Sequence, residues 1–156
     1  EAEFRDSFLV SSPNHPLRDP DDPDDPAARA LQVSSGNQLP GVPEHLLRLN
    51  TAWRVNDQFT LGATLVSRSD QYFRGDESNT AEKLDGFAIV NVNASYRLTD
   101  RAEIFGRINN LFDTEYETFG VFGEAEEVLG EDFEDARRFV GPGAPIGAWV
   151  GIRVTL

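Results

Sequence analysis

The fold is decided by residues 88–109, AIVNVNASYRLTDRAEIFGRIN. Every second residue from Ala88 to Leu98 is apolar or aromatic, and the residues between them are mainly Asn, Ser and Arg. A period of two indicates a β-strand with one apolar face and one polar face. Residues 99–101 then lead into a second run, 102–109, that alternates in the same way. The stretch therefore predicts an antiparallel hairpin with a short turn.

Other segments repeat this alternation. Residues 45–55 and 59–65 flank a turn at 56–58 and predict a second hairpin, and residues 148–156 predict a terminal strand. Residues 4–10 predict a shorter first strand. The sequence thus predicts an all-β protein, built as an antiparallel up-and-down meander of about six strands.

The connections between these strands alternate between long and short. Long loops at 12–44, 69–86 and 113–145 alternate with the turns 56–58 and 99–101, so all three long loops are expected at one edge of the sheet. Strands of about 9 to 11 residues with this arrangement of turns and loops are typical of outer-membrane β-barrels. Aromatic residues near the short turns fit the girdle that such barrels place at the lipid headgroups. These residues are Trp53, Phe59 and Tyr96.

Alternation also has a second interpretation, in which the apolar faces of a soluble sandwich or small barrel pack against one another. The other face favours the membrane barrel, because arginine recurs there among Asn, Thr, Ser and Gly, as in a wet lumen. The arginines are Arg48, Arg54, Arg68, Arg97, Arg107 and Arg153. On a soluble sheet the same residues would form a solvated face, so the pattern alone leaves both interpretations open.

Composition excludes several classes of function. The chain has 156 residues and no cysteine, which fits one modest domain and excludes disulfides, zinc–thiolate sites and cysteine nucleophiles. No stretch approaches the ~18 consecutive apolar residues of a transmembrane helix. The net charge is −13, from 14 basic and 27 acidic residues, and acids cluster in the long loops at 19–25 and 124–135. Nucleic-acid binding needs a basic surface and is not expected.

Three short segments at strand ends carry a family resemblance. They are Leu39-Pro-Gly-Val-Pro-Glu-His45, Asn109-Asn-Leu-Phe-Asp113 with Tyr116, and Gly141-Pro-Gly-Ala-Pro145. In order and spacing they resemble the end of the barrel of TonB-dependent outer-membrane receptors. Tyr72-Phe73 followed by Asn79 is also similar to that family, and the resemblance covers residues 36–156. The prolines and glycines punctuate the entry of loops into strands, and Asn110 and Asp113 are expected to cap their strand rather than to contact a ligand.

The resemblance implies that the parent protein lies in the bacterial outer membrane. In that family a barrel of about 22 strands encloses an N-terminal plug. Its extracellular loops bind a scarce nutrient such as a ferric siderophore, cobalamin or a glycan, and energy from the inner membrane opens it. The implied partners are outer-membrane lipid, the rest of the barrel with the plug domain, and a small nutrient ligand.

The resemblance also sets an expectation for the organisation of the chain. Residues 5–156 are expected to form a C-terminal barrel segment with extracellular long loops. Residues 1–4, Glu-Ala-Glu-Phe, resemble the remnant of a yeast secretion vector, so the isolated chain is expected to be a recombinantly secreted piece. Six strands cannot close a lumen of transporter size. The isolated chain is therefore expected to pair its edges in a homo-oligomer, to form a small barrel or to aggregate.

Two groups of loop residues are candidate binding sites. Aromatic faces beside a cation suit a sugar or a catechol-type chelate, although they suit packing within the loops equally well. This first group is Tyr72, Phe73, Arg74, Tyr116, Phe119 and Phe122. Carboxylates on a stiff Asp- and Pro-rich run suit Ca²⁺, with a solvated acidic loop as the alternative. This second group is Asp21, Asp22, Asp24 and Asp25, and no other cofactor is expected.

No catalytic residue is predicted, because the chain has neither a Gly-x-Ser-x-Gly elbow nor a His-x-x-x-His pair. Two function classes remain. The first is a segment of an active-transport receptor that contributes barrel strands and ligand-binding loops. The second is a soluble, secreted β-protein that binds a cation or a carbohydrate, with hydrolytic activity on its loop face left open.

Overall fold

A computed structural model describes residues 2–17, 31–123, 129–130 and 137–155. The strands found there pair antiparallel, which confirms the all-β prediction. They are β1 (Phe8–Val10), β2 (Leu31–Val33), β3 (Leu46–Arg54), β4 (Phe59–Arg68), β5 (Phe87–Thr99), β6 (Ala102–Asn109), β7 (Glu117–Phe122), β8 (Arg138–Pro142) and β9 (Gly147–Val154). No helix in the described residues has the length and apolar character needed to cross a membrane.

The chain divides into two compact units. The loop unit comprises Glu1–Glu44, Ser69–Gly86 and Glu117–Pro142, and it contains the two-stranded sheets β1–β2 and β7–β8. The sheet unit comprises the remaining ranges, His45–Arg68, Phe87–Tyr116 and Gly143–Leu156. It contains one five-stranded meander in the order β3-β4-β5-β6-β9.

The cross-strand register extends two unlike faces over the whole meander. One row of paired residues runs across the five strands through Trp53, Leu61, Ala94, Gly106 and Val150. Rows two residues away lie on the same side, because successive side chains point to opposite faces of a sheet. This side, the apolar face, carries most of the aliphatic residues of the five strands. The opposite side, the polar face, carries the arginines predicted from the sequence.

The apolar face is uncovered. Leu49 is 55% exposed, Val150 80% and Ile152 66%. The buried hydrophobic residues of the described chain are Leu31, Val33, Phe73, Leu84 and Phe122, and all of them belong to the loop unit. A soluble sandwich would bury the apolar face in its own interior, whereas these strands present it to the surroundings, as a membrane barrel does.

The first predicted strand has a different partner from the one expected. Phe8–Val10 does form a strand, but it pairs with Leu31–Val33 inside the loop unit rather than with the meander. The meander therefore has five strands. Three residues are too short a run to specify a partner by periodicity, so the sequence could not show this pairing. The ranges expected as long loops likewise contain strands of their own, namely β2, β7 and β8.

The short turns and the aromatic residues beside them lie as predicted. Between β3 and β4, the Asn56 side-chain oxygen accepts hydrogen bonds from the backbone N–H groups of Gln58 (2.9 Å) and Phe59 (2.8 Å). Trp53, Phe59 and Tyr96 all lie on the apolar face near these turns. The Tyr96 hydroxyl donates to the Gln58 side chain at 3.2 Å, which anchors the polar end of the ring.

The connection from β6 to β9 is held together by the Asn109–Asp113 and Gly141–Pro145 segments. Buried Asn110, with a left-handed φ of 48°, donates from its side-chain amide to the carbonyls of Thr114 (2.9 Å) and Ala144 (3.1 Å). The Asp113 carboxylate accepts the Ile146 N–H at 2.8 Å. Both residues therefore shape the backbone, which confirms the structural role predicted for them.

Gly143 is required at its position because the Tyr116 ring lies directly on it. A Cβ at Gly143 would overlap the ring, and the Gly143 N–H donates to the Tyr116 carbonyl at 2.6 Å. The ring also packs on Phe87, with 4.4 Å between the ring centroids. The spacing of Tyr116 from the Gly-Pro-Gly segment thus has a packing cause.

We expect Gly143→Ala to destabilise the sheet unit by about 1–3 kcal/mol, because the ring or the backbone must shift to admit the methyl group. The measurement is the denaturant midpoint for unfolding of the chain in detergent, monitored through the near-ultraviolet signal of its aromatic residues. Gly106→Ala is the matched control, since a Cβ there meets only the Trp149 carbonyl oxygen at 3.6 Å. Equal midpoints for the two variants would contradict this account of Gly143.

Candidate functional site

The loop unit is organised around the buried carboxylate of Asp76. One oxygen, Oδ1, accepts hydrogen bonds from the Ser78 hydroxyl (2.9 Å), the Thr80 N–H (3.0 Å) and the His15 ring (3.1 Å). The other, Oδ2, accepts the Ala81 N–H at 2.9 Å. Asp76 and His15 are fully buried. A buried carboxylate is tolerated only when donors surround it, and here they are supplied by two segments that are 61 residues apart in the chain.

His15 links this carboxylate to the aromatic core. Its Nδ1 accepts the Leu17 N–H at 3.1 Å, so the ring proton lies on Nε2 and is donated to Asp76. The ring also meets Phe122 edge to face, with 5.4 Å between centroids. The Arg137 guanidinium donates to the His15 carbonyl at 3.4 Å. His15 therefore connects three parts of the loop unit.

Asn79 fastens a third segment to the same loop. It adopts a left-handed φ of 57°, which Asn tolerates better than most residues. Its side-chain oxygen accepts the Gln38 N–H at 2.6 Å, and its amide donates to the Gln38 carbonyl at 3.0 Å. The Asn37 amide donates in turn to the carbonyls of Glu77 (3.1 Å) and Ser78 (2.9 Å). Asn79, which follows Tyr72-Phe73 in the sequence, thus forms with Asn37 a clamp that holds the backbones of the two segments together.

Phe73 and Phe122, two of the predicted ligand contacts, form the core of the loop unit. Their rings stack with centroids 5.2 Å apart and an interplanar angle of 4°, and both residues are buried, together with Leu84. Gly120 makes room for this stack, since a Cβ there would come within 2.7 Å of the Phe73 ring. Both residues therefore pack within the loop unit, and ligand contact by them stays a prediction.

The other four candidates are more accessible, and they are divided between the two units. Arg74 and Phe119 are exposed and Tyr72 is half-buried, all within the loop unit. Backbone hydrogen bonds hold this segment, from the Arg74 N–H to the Gly120 carbonyl (2.9 Å) and from the Gly41 N–H to the Tyr72 carbonyl (2.9 Å). Tyr116 belongs to the sheet unit, where it packs on Gly143.

A polar groove of about 790 Å³ opens in the loop unit beside these residues. Its apolar wall is formed by Phe73, Leu84 and Val140. Six charged residues line it, Asp70, Glu82, Lys83, Asp85, Glu117 and Arg138. A cavity of this size with an aromatic wall and several charged groups has the dimensions of a small-molecule site.

Each cation of the groove lies between an acid and an aromatic ring. The Lys83 ammonium is 3.2 Å from the Asp70 carboxylate and 4.8 Å from the centroid of the Tyr72 ring. The Arg138 guanidinium is 2.7 Å from the Glu82 carboxylate and 5.7 Å from the centroid of the Phe73 ring. The carboxylates are at least half exposed, so a ligand can exchange with them at small cost, because exposed ion pairs contribute only about 0–1 kcal/mol.

The sequence of the chain matches a protein-family model described as TonB dependent receptor-like, beta-barrel, over residues 17–111. This match spans more than half of the chain. The chain belongs to the TonB-dependent receptor β-barrel family. It is a segment of a bacterial outer-membrane β-barrel, which agrees with the uncovered apolar face of the meander.

Individual relatives of this TonB-dependent receptor segment agree with the assignment. The vitamin B12 transporter BtuB of Photobacterium profundum is 32% identical over 90 residues, which are 52% of this chain and 14% of that protein. BtuB of Vibrio cholerae is 28% identical over 126 residues, which are 80% of this chain and 19% of that protein. The chain thus spans less than a fifth of the length of these curated relatives.

The fold is also found in a solved receptor structure. The siderophore receptor PiuA from Acinetobacter baumannii superposes with a TM-score of 0.64 and 22% sequence identity. The superposition covers 82% of this chain and 16% of the PiuA chain. The superposition shows that this chain shares its fold with the matched part of PiuA.

The predicted calcium ligands of this receptor segment lie outside the described residues. Asp21, Asp22, Asp24 and Asp25 all fall within residues 18–30, so calcium binding there stays a prediction. Within the part of the chain that the structure describes, no group of three or more His, Asp or Glu side chains is placed to hold a metal ion.

Sequence reasoning missed most of the groove of this receptor segment. Asp70, Glu82 and Lys83 carry no motif and lie in a range whose pattern indicates only a loop. The sequence feature that marks them is a set of charged residues on both sides of Leu84, a single apolar residue that is buried in the structure. That signal is too common to identify a site without the fold.

Proposed function

We propose that this chain is the part of an outer-membrane active-transport receptor that supplies five barrel strands and an extracellular ligand-binding loop unit. The ligand is a scarce nutrient from the group of siderophores, cobalamin and glycans. The observation that carries the proposal is a five-stranded meander with an uncovered apolar face, joined in one chain to a loop unit with its own core.

The relatives support the transport role. BtuB is named a vitamin B12 transporter, and PiuA is titled a siderophore receptor. The two names differ in ligand, so the choice of nutrient depends on the loops of this chain. The groove supports a ligand with hydroxyl or carbonyl oxygens, because Lys83 and Arg138 donate hydrogen bonds and the Phe73 ring offers an apolar surface.

A binding experiment on the parent receptor tests this proposal. The receptor is placed in detergent micelles and titrated separately with cyanocobalamin, a ferric catecholate and maltodextrin, and Trp and Tyr fluorescence is followed. One of the three is expected to bind, and Lys83→Ala with Arg138→Ala is expected to weaken that binding by about tenfold, as two lost charge-assisted contacts would. Arg101→Gln, in the turn after β5, is the control.

Two results would contradict the role of the loop unit. Unchanged binding in the Lys83 and Arg138 double variant would show that the ligand binds outside the groove. Failure of all three probes to bind the folded receptor would overturn the proposed group of nutrients.

The membrane assignment has its own measurement on the isolated chain. We expect it to sediment as a monodisperse species in detergent and to associate into large species without detergent, because the apolar face and the edge strands β3 and β9 are exposed. A compact monomer in detergent-free buffer would contradict the proposal. Val150→Thr and Ile152→Thr together should reduce the association, since both residues lie on the apolar face of the β9 edge.

A further inference from the structure

The groove of the loop unit begins where the Asp76 carboxylate holds the backbone. Its Oδ1 accepts the Thr80 N–H at 3.0 Å, and its Oδ2 accepts the Ala81 N–H at 2.9 Å. The next two residues along the chain are Glu82 and Lys83, which line the groove. A single carboxylate therefore fixes the direction in which this segment leaves the buried cluster and enters the groove.

The other end of the same segment is fixed by a backbone bridge. The Leu84 N–H donates to the Gln71 carbonyl at 2.8 Å, and the Gln71 N–H donates to the Leu84 carbonyl at 3.1 Å. Both residues are buried, so the bridge is shielded from water. It places Lys83 beside Asp70 and Tyr72, with its ammonium 3.2 Å from the carboxylate and 4.8 Å from the ring centroid. The segment is thus held on both sides of Lys83.

The ion pairs of the groove are too weak to fix its geometry by themselves. The side chains of Asp70 and Glu82 are 50% and 80% exposed, and exposed pairs are screened by water and salt. Asp76 is fully buried, so each of its donors would be left unpaired in a dry environment if the carboxylate were removed. The buried network therefore determines where Glu82 and Lys83 lie, and the exposed pairs adjust to it.

Asp76 does not act on a ligand directly. Its side chain has no exposed surface, and it is not one of the residues that line the groove. Its influence passes through the backbone of Thr80 and Ala81 to Glu82 and Lys83. A side chain that is already held in its binding position loses less conformational freedom when the ligand arrives, so preorganisation raises affinity without adding a contact.

We propose that Asp76 is a positioning residue for the groove, and that it raises the affinity for the nutrient without touching it. The inference rests on the proposed function, in which Lys83 and Arg138 bind the ligand. Linkage makes the effect reciprocal. A ligand that binds only the ordered groove must also protect the N–H groups of Thr80 and Ala81 from exchange, although neither residue lines the groove.

The position of Lys83 can be measured without a ligand, because it is the only lysine in the chain. Reductive methylation of the 156-residue chain in detergent with isotope-labelled formaldehyde gives one lysine methyl signal in an NMR spectrum. The nearby Tyr72 ring should displace that signal from its value in solvent. Asp76→Ala should return the signal to the solvent value, whereas Glu77→Ala, at the next residue, should leave it displaced.

A structural control separates positioning from general stability. His15→Ala also removes a partner of the Asp76 carboxylate, but it leaves the bonds to Thr80 and Ala81 in place. It should lower the denaturant midpoint of the loop unit while displacing the Lys83 signal far less than Asp76→Ala does.

Ligand binding to the parent receptor in detergent micelles is the second measurement. The probes are cyanocobalamin, a ferric catecholate and maltodextrin, each titrated separately. Asp76→Ala should weaken the probe that binds by about tenfold, which is typical of coupling between two sites. Asp76→Asn should restore part of this loss, because the amide keeps one acceptor oxygen. Hydrogen exchange of the bound wild-type receptor should show added protection at the Thr80 and Ala81 N–H groups.

Three results would overturn the inference. They are a Lys83 signal that Asp76→Ala leaves unchanged, equal displacement of that signal by Asp76→Ala and His15→Ala, and full nutrient affinity in a folded Asp76→Ala receptor. If no probe binds the wild-type receptor, the proposed function fails, whereas the Lys83 signal still decides whether Asp76 positions the groove. The two failures are therefore distinguishable.

Discussion

Replacing Asp76 with Ala is expected to open the loop unit. Four donors lose their acceptor at once, namely the His15 ring, the Ser78 hydroxyl and the N–H groups of Thr80 and Ala81. A buried donor left without a partner costs about 1–3 kcal/mol, so a total loss of at least about 3 kcal/mol is expected even after local relaxation. Such a loss exceeds the opening free energy of many surface segments.

Amide hydrogen exchange of the chain in detergent measures this effect. The N–H groups of Thr80, Ala81 and Gln38 should lose about 100-fold or more of their protection, since 1.4 kcal/mol corresponds to a factor of ten. Asp76→Asn should fall between the wild type and Asp76→Ala, because the amide keeps one acceptor but turns an NH₂ group towards donors.

Glu77→Ala is the matched control for Asp76. Glu77 is the next residue, but its side chain is only half-buried and only its backbone carbonyl takes part in the clamp. It should leave the protection pattern nearly unchanged. If Glu77→Ala and Asp76→Ala had similar effects, Asp76 would not be the organising residue of the loop unit.

The sheet unit could be predicted from the sequence because its signal is local and repeated. Residues 88–109 carry the period of two, and the turn residues specify which strands are neighbours. The register across five strands then places most aliphatic residues on one side, as that period requires, while Leu46, Val66 and Ile89 lie on the other. The medium that touches this side could not be read from alternation alone, since a soluble core and a lipid tail are equally apolar.

The loop unit could not be predicted in the same way, because its contacts join distant residues. Asp76 and His15 are 61 residues apart, and neither lies in a periodic segment. A hydrogen bond between isolated polar residues leaves no pattern in one sequence. The same limit applies to Phe73 and Phe122: aromatic residues in a loop suggest a ligand site or a small core, and one sequence does not show that their rings stack.

Leu49→Arg is expected to prevent stable insertion of the sheet unit into a bilayer. Leu49 lies in the middle of β3 on the apolar face and is 55% exposed, so the arginine would meet hydrocarbon. Arginine on the lipid side of a membrane barrel costs about 2–4 kcal/mol at the bilayer midplane. The fraction of chain folded into lipid vesicles, measured by protease protection and by far-ultraviolet circular dichroism, should fall sharply relative to the wild type.

Asn50→Arg is the matched control, because it adds the same side chain at the next residue of the same strand. Asn50 lies on the polar face, where its side chain accepts a hydrogen bond from the Thr64 hydroxyl at 2.9 Å. Loss of this exposed bond costs no more than about 1 kcal/mol, and the new guanidinium would point towards the lumen. Insertion should therefore remain close to the wild-type level. A soluble sheet would behave differently, because its apolar face would be its core: Leu49→Arg would then unfold the chain in water, with no vesicles present. The two variants together thus decide whether lipid or protein covers the aliphatic side of the meander.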